Sequence, residues 1–262
     1  MIEIAILMLI GILAGLLAGL FGIGGGLVIV PGLTWLLLSQ GMMLDFAMPI
    51  AVASALGSMV LTSASSALAH ARKQALDWPS VWRLAPTLAL GALLGAWLAV
   101  RLSGQWLSWI FALFAAWIGV RMIFGVGQEK AADRSPRARG WWLFGPLIGA
   151  LSAMLGIGGA SFNVPYLTRN GFSAIQAVAI AAACGWFLAL AGSLGFMLQT
   201  SSGAHGPGLL GYWYWPAVLI IGIVGMLTAP LGASLAHRIG SLRLAQWFGF
   251  LLLIVAMRMA MQ

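Results

Sequence analysis

The sequence predicts an all-α polytopic membrane protein built from two four-segment repeats. Three observations support this fold class. The chain of 262 residues is 62% hydrophobic and only 7% charged, whereas soluble domains carry about 25% charged residues. It contains eight apolar segments, and several include uninterrupted apolar runs of roughly 18 residues, which are long enough to cross a bilayer. The second half also repeats features of the first half in the same order.

The clearest repeated feature is a glycine-rich phrase within the first apolar segment of each half. The phrase "GIGGGLVIVP" at 22–31 returns 134 residues later as "GIGGASFNVP" at 156–165. Other pairs share an offset of 137 residues, such as "GAWLAVRL" at 95–102 and "GASLAHRI" at 232–239. A common offset over several pairs indicates an internal duplication.

The duplication sets the expected domain organisation. We predict a first transmembrane repeat at 1–125, a cytoplasmic linker at 126–140 and a second transmembrane repeat at 141–262. The linker holds the only long polar stretch of the chain. The apolar segments lie near residues 3–38, 46–70, 81–101 and 105–124 in the first half, and near 142–168, 172–199, 212–237 and 243–261 in the second.

The placement of Lys and Arg predicts how the halves are oriented, because basic residues concentrate in cytoplasmic loops. The loop at 71–83, the linker and the turn at 237–243 carry basic residues, whereas the loop at 200–212 carries none. These assignments agree only if the two repeats are inverted. Each repeat would then start with a glycine-broken or re-entrant helix.

The glycine phrases interrupt helices where a membrane offers the backbone no water. Irregular backbone survives at such depth only where protein buries it or where it lines a cavity. Glycine permits the non-helical turn, and we expect the proline to end the irregular stretch by removing a donor. The free N–H groups of a helix start favour an anion. Two breaks at repeat-related positions point to the midplane binding site of a transporter.

The candidate substrate-binding residues are the two breaks and polar side chains near them. Asn163 and Ser161 either brace the broken backbone or donate to a substrate oxygen. Ser54 and Ser58 either bond to helix carbonyls or face the substrate, and Gln176 is either a helix cap or a donor. The full set is Gly22, Gly24, Gly25, Gly26, Pro31, Ser54, Ser58, Gly156, Gly158, Gly159, Ser161, Asn163, Pro165 and Gln176.

The two phrases, one at the start of each half, resemble the duplicated glycine-proline signature of the sulfite exporter TauE/SafE family of membrane transporters. The chain length, the segment number and the "AVA" start of the following helix, at 51–53 and 177–179, also fit this family. The resemblance covers essentially the whole chain. It implies a multi-pass permease of the inner membrane for small sulfur-containing anions, namely sulfite, thiosulfate or organosulfonates.

The sequence departs from the family pattern in places that bear on the substrate. The family often has Ala-Val-Gly-Thr-Ser at the second helix of each half, but the chain keeps one hydroxyl there in the first copy, Ser54, and none in the second. The third motif glycine is Ala160 in the second copy, and Asn163 stands where the family is usually apolar. We therefore expect an asymmetric binding surface.

The membrane potential favours the export of an anion. All five acidic residues lie at termini or in loops, so the carboxylate that coupled carriers commonly use is missing from the segments. An inside-negative potential favours expelling an anion by roughly 2.3 kcal/mol per charge per 100 mV. We expect facilitated or weakly coupled export through a site between the two broken helices.

Other function classes are less well supported. Scattered basic residues do not form a nucleic-acid patch, and the pattern shows neither the His and Glu cluster of a metalloprotease nor an activated serine. No enzyme activity, metal or cofactor is expected; the partners are a small sulfur anion and the lipid bilayer, with homo-oligomerisation left open. The alternative reading is a membrane assembly or interaction protein whose glycine motifs serve helix packing.

Overall fold

The structure, a computed structural model, describes residues 2–21, 25–72, 76–124, 140–199, 208–236 and 241–262. These residues form ten helices and one short hairpin. The helices of the first half are α1 Ile2–Phe21, α2 Gly26–Ser39, α3 Leu44–Arg72, α4 Trp78–Ala99 and α5 Gly104–Ile123. Those of the second half are α6 Trp141–Met154, α7 Ala160–Arg169, α8 Ala174–Met197, α9 Trp215–Ala236 and α10 Ser241–Ala260.

Six of these helices are long and apolar enough to cross a membrane. Their candidate spans are Ile2–Leu20, Leu44–Leu68, Trp78–Ala99, Gly104–Ile123, Ile175–Met197 and Trp215–Gly232. Three shorter apolar helices, Gly26–Ser39, Trp141–Met154 and Gln246–Ala260, accompany them. The predicted all-α polytopic membrane fold is therefore confirmed, and each predicted first segment is divided into two helices.

Local sequence signals fix several helix ends. Asp77 caps α4 by accepting a hydrogen bond from the Ser80 N–H, because the first N–H groups of a helix have no intrahelical partner. Ser103 caps α5 in the same way. A reciprocal capping box between Ser173 and Gln176 starts α8.

One element differs from the prediction. The segment expected to begin near residue 212 starts instead with a hairpin of two strands, β1 Leu209–Leu210 and β2 Trp213–Tyr214, and α9 begins at Trp215. Gly211 makes the tight turn possible because it adopts a φ of 59°, a value that favours glycine. An apolar, aromatic-rich run cannot by itself distinguish a short strand from a helix.

Two central helix pairs pack antiparallel. Helices α3 and α8 meet where a Cβ atom on Gly192 would lie 3.0 Å from the Leu56 Cδ1 atom. Helices α5 and α10 are joined where the Ser108 hydroxyl donates to the carbonyl oxygen of Met259 at 2.6 Å. Gly119, which comes later in α5, faces Gly249 and Leu252, which come before Met259 in α10, so these two helices run in opposite directions.

Two outer pairs pack parallel through glycines. Helix α1 runs parallel to α9, and Gly15 contacts Gly225 while Leu16 contacts Gly232. Helix α4 likewise runs parallel to α6, and Leu88 contacts Gly149 while Gly95 contacts Ala150. An added Cβ atom on Gly15, Gly95, Gly149 or Gly232 would overlap the backbone of the partner helix. Small residues of this kind let membrane helices touch closely.

Candidate functional site

Each glycine-broken segment folds back on itself as a helical hairpin. In the first half, a Cβ atom on Gly25 would lie 2.9 Å from the Cβ atom of Ala14, and one on Gly32 would lie 3.1 Å from the Cδ1 atom of Ile10. Later residues of α2 contact earlier residues of α1, so the two helices are antiparallel. The chain therefore reverses direction at the break.

The second half repeats this reversal between α6 and α7. A Cβ atom on Gly159 would lie 3.6 Å from the Ser152 hydroxyl oxygen, and the rings of Phe144 and Tyr166 are 5.6 Å apart. Both breaks are thus hairpins that enter the protein and return.

The two breaks meet between the middles of α3 and α8. Gly26 of the first break lies so close to the Gly156 carbonyl of the second that an added Cβ atom would overlap its oxygen. The Met59 side chain of α3 lies between them, with its Cε atom 2.5 Å from the Cβ position of Gly26 and its sulfur 3.3 Å from that of Gly158. From α8, the Cβ position of Gly185 is 2.7 Å from the Gly158 carbonyl oxygen.

The second break is held by left-handed glycines. Gly156 and Gly159 have φ values of 64° and 73°, which side-chain-bearing residues rarely adopt. The turn is closed by the Ile157 N–H donating to the Ser152 carbonyl at 2.9 Å and the Gly159 N–H donating to the Ile157 carbonyl at 2.8 Å. Of the first break, Gly22 and Gly24 lie outside the described residues.

The helices that leave the breaks start without side-chain caps. Gly25 and Gly159 are the N-cap residues of α2 and α7, and neither supplies a capping side chain. The first N–H groups of a helix lack intrahelical acceptors and carry a partial positive charge. Each break therefore brings together the positive N-terminal end of one helix, α2 or α7, and the negative C-terminal end of the helix before it, α1 or α6.

The buried polar side chains without partners at the site belong to the second half. Asn163 is 1% exposed, and neither its amide nitrogen nor its amide oxygen has a hydrogen-bond partner. The hydroxyls of Ser152 and Ser161 are also buried and unpartnered. Buried polar groups are paired in most proteins, so these three groups require water or a ligand as partners. Ser152 was missed by the sequence reasoning, although its first-half counterpart at the 134-residue offset is Ala18.

Three predicted site residues have hydrogen-bond partners within the protein. The Ser58 hydroxyl donates to the Ser54 carbonyl at 2.9 Å, and the Ser54 hydroxyl accepts from the Tyr214 N–H at 3.0 Å. Gln176 is engaged in the capping box at the start of α8. It lies nine residues before Gly185, or roughly 13 Å along the helix, so the structure does not bring it to the breaks.

The prolines also differ from the prediction. Pro31 and Pro165 do not end the irregular stretches; each is the sixth residue of the helix that follows. A proline inside a helix removes the hydrogen bond to the carbonyl four residues earlier. These carbonyls belong to Leu27 and Ser161, so each hairpin carries an extra backbone acceptor near the break.

The site is electrically neutral in its side chains. Among the residues that the structure describes, the buried polar side chains are hydroxyls and one amide, with no Asp, Glu, Lys or Arg. The same residues contain no group of three or more His, Cys, Asp and Glu side chains that could hold a metal ion. Among these residues, the electric field at the centre therefore comes from backbone dipoles.

Two helical hairpins that meet at glycine breaks inside a bundle of apolar helices are typical of one class of protein, the multi-pass membrane transporters. The family model of the sulfite exporter TauE/SafE matches residues 7–259. The chain belongs to the sulfite exporter TauE/SafE family.

Related proteins from distant organisms carry the same general description. A probable membrane transporter protein of Haemophilus influenzae is 34% identical over 257 residues, covering 98% of this chain and 97% of its own. Similar proteins of Methanocaldococcus jannaschii and Xylella fastidiosa, also named probable membrane transporter proteins, are 24% and 28% identical, covering 91% and 94% of this chain and 88% and 90% of their own. No solved structure matches the chain.

Proposed function

We propose that the protein exports small sulfur-containing anions, such as sulfite, thiosulfate or organosulfonates, across the inner membrane. The substrate binds between the two breaks, beside the start of α7. The family supports the sulfur-anion class, and the unpartnered Asn163 amide supports the location. Asn163 is the observation that carries the proposal, because a buried amide without partners costs free energy unless a ligand or water completes it.

We also propose that the chain consists of two inverted repeats, at 1–125 and 141–262, joined by the linker at 126–140. The glycine contacts support this, because the pair Gly15 and Gly225 corresponds to the pair Gly149 and Leu88 at the offsets of 134 and 137 residues. The related helices α3 and α8 pack antiparallel, as do α5 and α10. A two-fold axis between antiparallel helices is perpendicular to them, which places it in the membrane plane.

The helix directions also support a cytoplasmic linker. The packing directions place four C-terminal helix ends on one face of the bundle, namely those of α3, α5, α7 and α9. Of the 13 Lys and Arg residues, all but Arg101 and Arg258 lie in or beside the chain segments that join helix ends on this face. Basic residues favour the cytoplasmic side, so the loop at 200–212 would be external.

Helix packing is the competing explanation for the glycine motifs. The contact of Gly26 with Gly156 would serve packing as well as transport. Packing does not account for the unpaired side chains of Asn163 and Ser152, which an apolar residue would replace at no cost. The transport proposal explains both observations.

The direct test is counterflow of labelled sulfur anions in proteoliposomes. Purified protein should exchange at least one of sulfite, thiosulfate or an organosulfonate across the membrane, at a rate that empty liposomes do not show. Absence of counterflow for every sulfur anion would contradict the substrate class. Abolition of flux when the membrane potential is clamped at zero, with the anion gradient intact, would contradict facilitated export.

A further inference from the structure

We infer that Met59 limits the size of the anions that pass between the two breaks, and that each anion passes only when this side chain moves aside. The inference rests on the proposed function, because it assigns to Met59 the selection of the transported anion by size. Three features of α3 and α8 support this role.

The first feature is that the Met59 side chain fills the contact between the breaks. It is 1% exposed, and it ends with its Cε atom 2.5 Å from the Cβ position of Gly26 and its sulfur 3.3 Å from that of Gly158. An anion that crosses between the breaks must therefore take space that the end of this side chain occupies. Methionine is unbranched and has three rotatable bonds, so its terminal atoms can move while the backbone of α3 stays in place.

The second feature is that the packing around α3 changes at Met59. Residues 47–59 are all buried, whereas the next six residues, 60–65, are all half-buried. Six successive residues of a helix point in every direction. A lipid-facing stripe, which returns only every three or four residues, therefore does not explain their exposure. The later part of α3 is loosely surrounded on all sides, and this loose packing ends at Met59.

The loosely packed part of α3 nevertheless lies inside the bundle. The Cβ position of Gly225 in α9 is 3.2 Å from the Thr62 Cγ2 atom, and that of Gly185 in α8 is 4.0 Å from the Ser63 hydroxyl oxygen. Half-buried surface between helices therefore continues from the face where α3 ends up to Met59, where full burial begins. Met59 stands at the point that an anion moving from this face would reach first at the breaks.

The third feature is that the second half carries no equivalent side chain. The offset of 126 residues that relates "AVA" at 51–53 to "AVA" at 177–179 pairs Met59 with Gly185. The Cβ position of Gly185 is 2.7 Å from the Gly158 carbonyl oxygen, so the backbone of α8 approaches the second break directly. One side chain therefore sets the width between the breaks, and shortening it should widen the passage.

Linear sulfonates of increasing length test the inference by counterflow in proteoliposomes. Methanesulfonate, ethanesulfonate, propanesulfonate and butanesulfonate carry the same single charge and differ only in their apolar tails. Each rate is divided by the rate of a reference anion, which is whichever of sulfite, thiosulfate and methanesulfonate the wild type exchanges fastest. We expect this ratio to fall steeply along the series in the wild type, because one methylene group in an apolar pocket changes discrimination by a factor of about 10 or more.

Shorter side chains at position 59 should extend the series. Met59→Ala removes every atom beyond Cβ and should raise the butanesulfonate ratio about tenfold or more, and Met59→Val should raise it less. Met48→Ala is the matched control, because Met48 lies on the same helix, is 0% exposed and contacts the Thr34 hydroxyl through its sulfur at 3.5 Å. It should lose stability through a similar cavity and leave the ratio unchanged.

The outcomes separate the role of Met59 from the proposed function. An unchanged ratio in Met59→Ala overturns the inference while wild-type counterflow upholds the transporter. A wild type that exchanges butanesulfonate as fast as methanesulfonate, or an equal rise of the ratio in Met48→Ala, also overturns the inference. Absence of wild-type counterflow with every sulfur anion overturns both. If Met59→Ala does not fold, Met59→Val, which leaves a smaller cavity, decides by the same ratio.

Discussion

Alanine substitution at three glycines distinguishes two causes of destabilisation, namely steric overlap where the breaks meet and strain in a left-handed backbone. Gly26 has ordinary helical geometry, but an added Cβ atom would overlap the Gly156 carbonyl. Gly41 has the reverse problem, with a φ of 85° and open space around it. Gly156 combines a φ of 64° with a Cβ position 2.7 Å from the Val30 Cγ2 atom. The three variants therefore test crowding, strain and both together.

The expected magnitudes follow from these geometries. Gly41→Ala should lower the free energy of unfolding by roughly 1–2 kcal/mol, the cost of a left-handed conformation. Gly26→Ala should lower it by about 1–3 kcal/mol, the usual cost of overpacking, because a backbone carbonyl cannot rotate away. Gly156→Ala should lower it by the most. Thermal unfolding in detergent measures this order.

Transport should follow a different order from stability. Counterflow should survive Gly41→Ala, which lies at an exposed turn after α2, and should fall strongly in Gly26→Ala and Gly156→Ala, which force the breaks apart. If Gly26→Ala is as stable and active as the wild type, the breaks do not touch in the working protein. If Gly41→Ala loses as much flux as Gly26→Ala, the effect is not specific to the site.

Two further variants test the surroundings. Met59→Ala should lower the free energy of unfolding by about 2–5 kcal/mol through the cavity that it leaves, as measured by thermal unfolding. Tyr214→Phe should weaken alkaline destabilisation, because burial, and then the hydrogen bond to Glu3 and its charge, raise the pKa of Tyr214 to about 12. The stability that a raised pKa provides is present below the ordinary value of 10.0 and is lost as pH rises towards 12.

A different result would contradict each of these two predictions. A Met59→Ala protein that melts with the wild type would show that the side chain does not fill the space between the breaks. An unchanged slope of stability against pH between about 10 and 12 in Tyr214→Phe would show that Tyr214 does not titrate as described. Wild-type unfolding midpoints over this pH range provide the reference.

The sequence predicted the architecture well because strong physical signals determine it. Long apolar runs must become helices in a membrane, and the repeated glycines marked both breaks before any geometry was known. The hairpin at 209–214 was not predicted, since its apolar residues suit a strand and a helix equally. The reversal at the breaks was also left open, because a glycine-rich phrase permits several turns.

The site was predicted less completely than the fold. Asn163 stood out as an amide in an apolar phrase, and the structure leaves it buried and unpartnered. Ser152 was missed because a serine in a membrane helix usually bonds to its own backbone, and only tertiary packing shows its orphaned hydroxyl. Ser58 donates to a carbonyl of its own helix, one of the two alternatives predicted for it, whereas the partner of the Ser54 hydroxyl is the N–H of the distant Tyr214.

Substrate protection of a single cysteine tests the central claim that the anion binds between the breaks. The only cysteine of the chain, Cys184, is replaced by alanine, and Ser161→Cys places a thiol at the start of α7. After counterflow confirms that this variant transports, its modification rate by a sulfonate-bearing thiol reagent is measured with and without a transported anion. The account predicts marked slowing by the transported anion. An unchanged rate at a saturating concentration would contradict it.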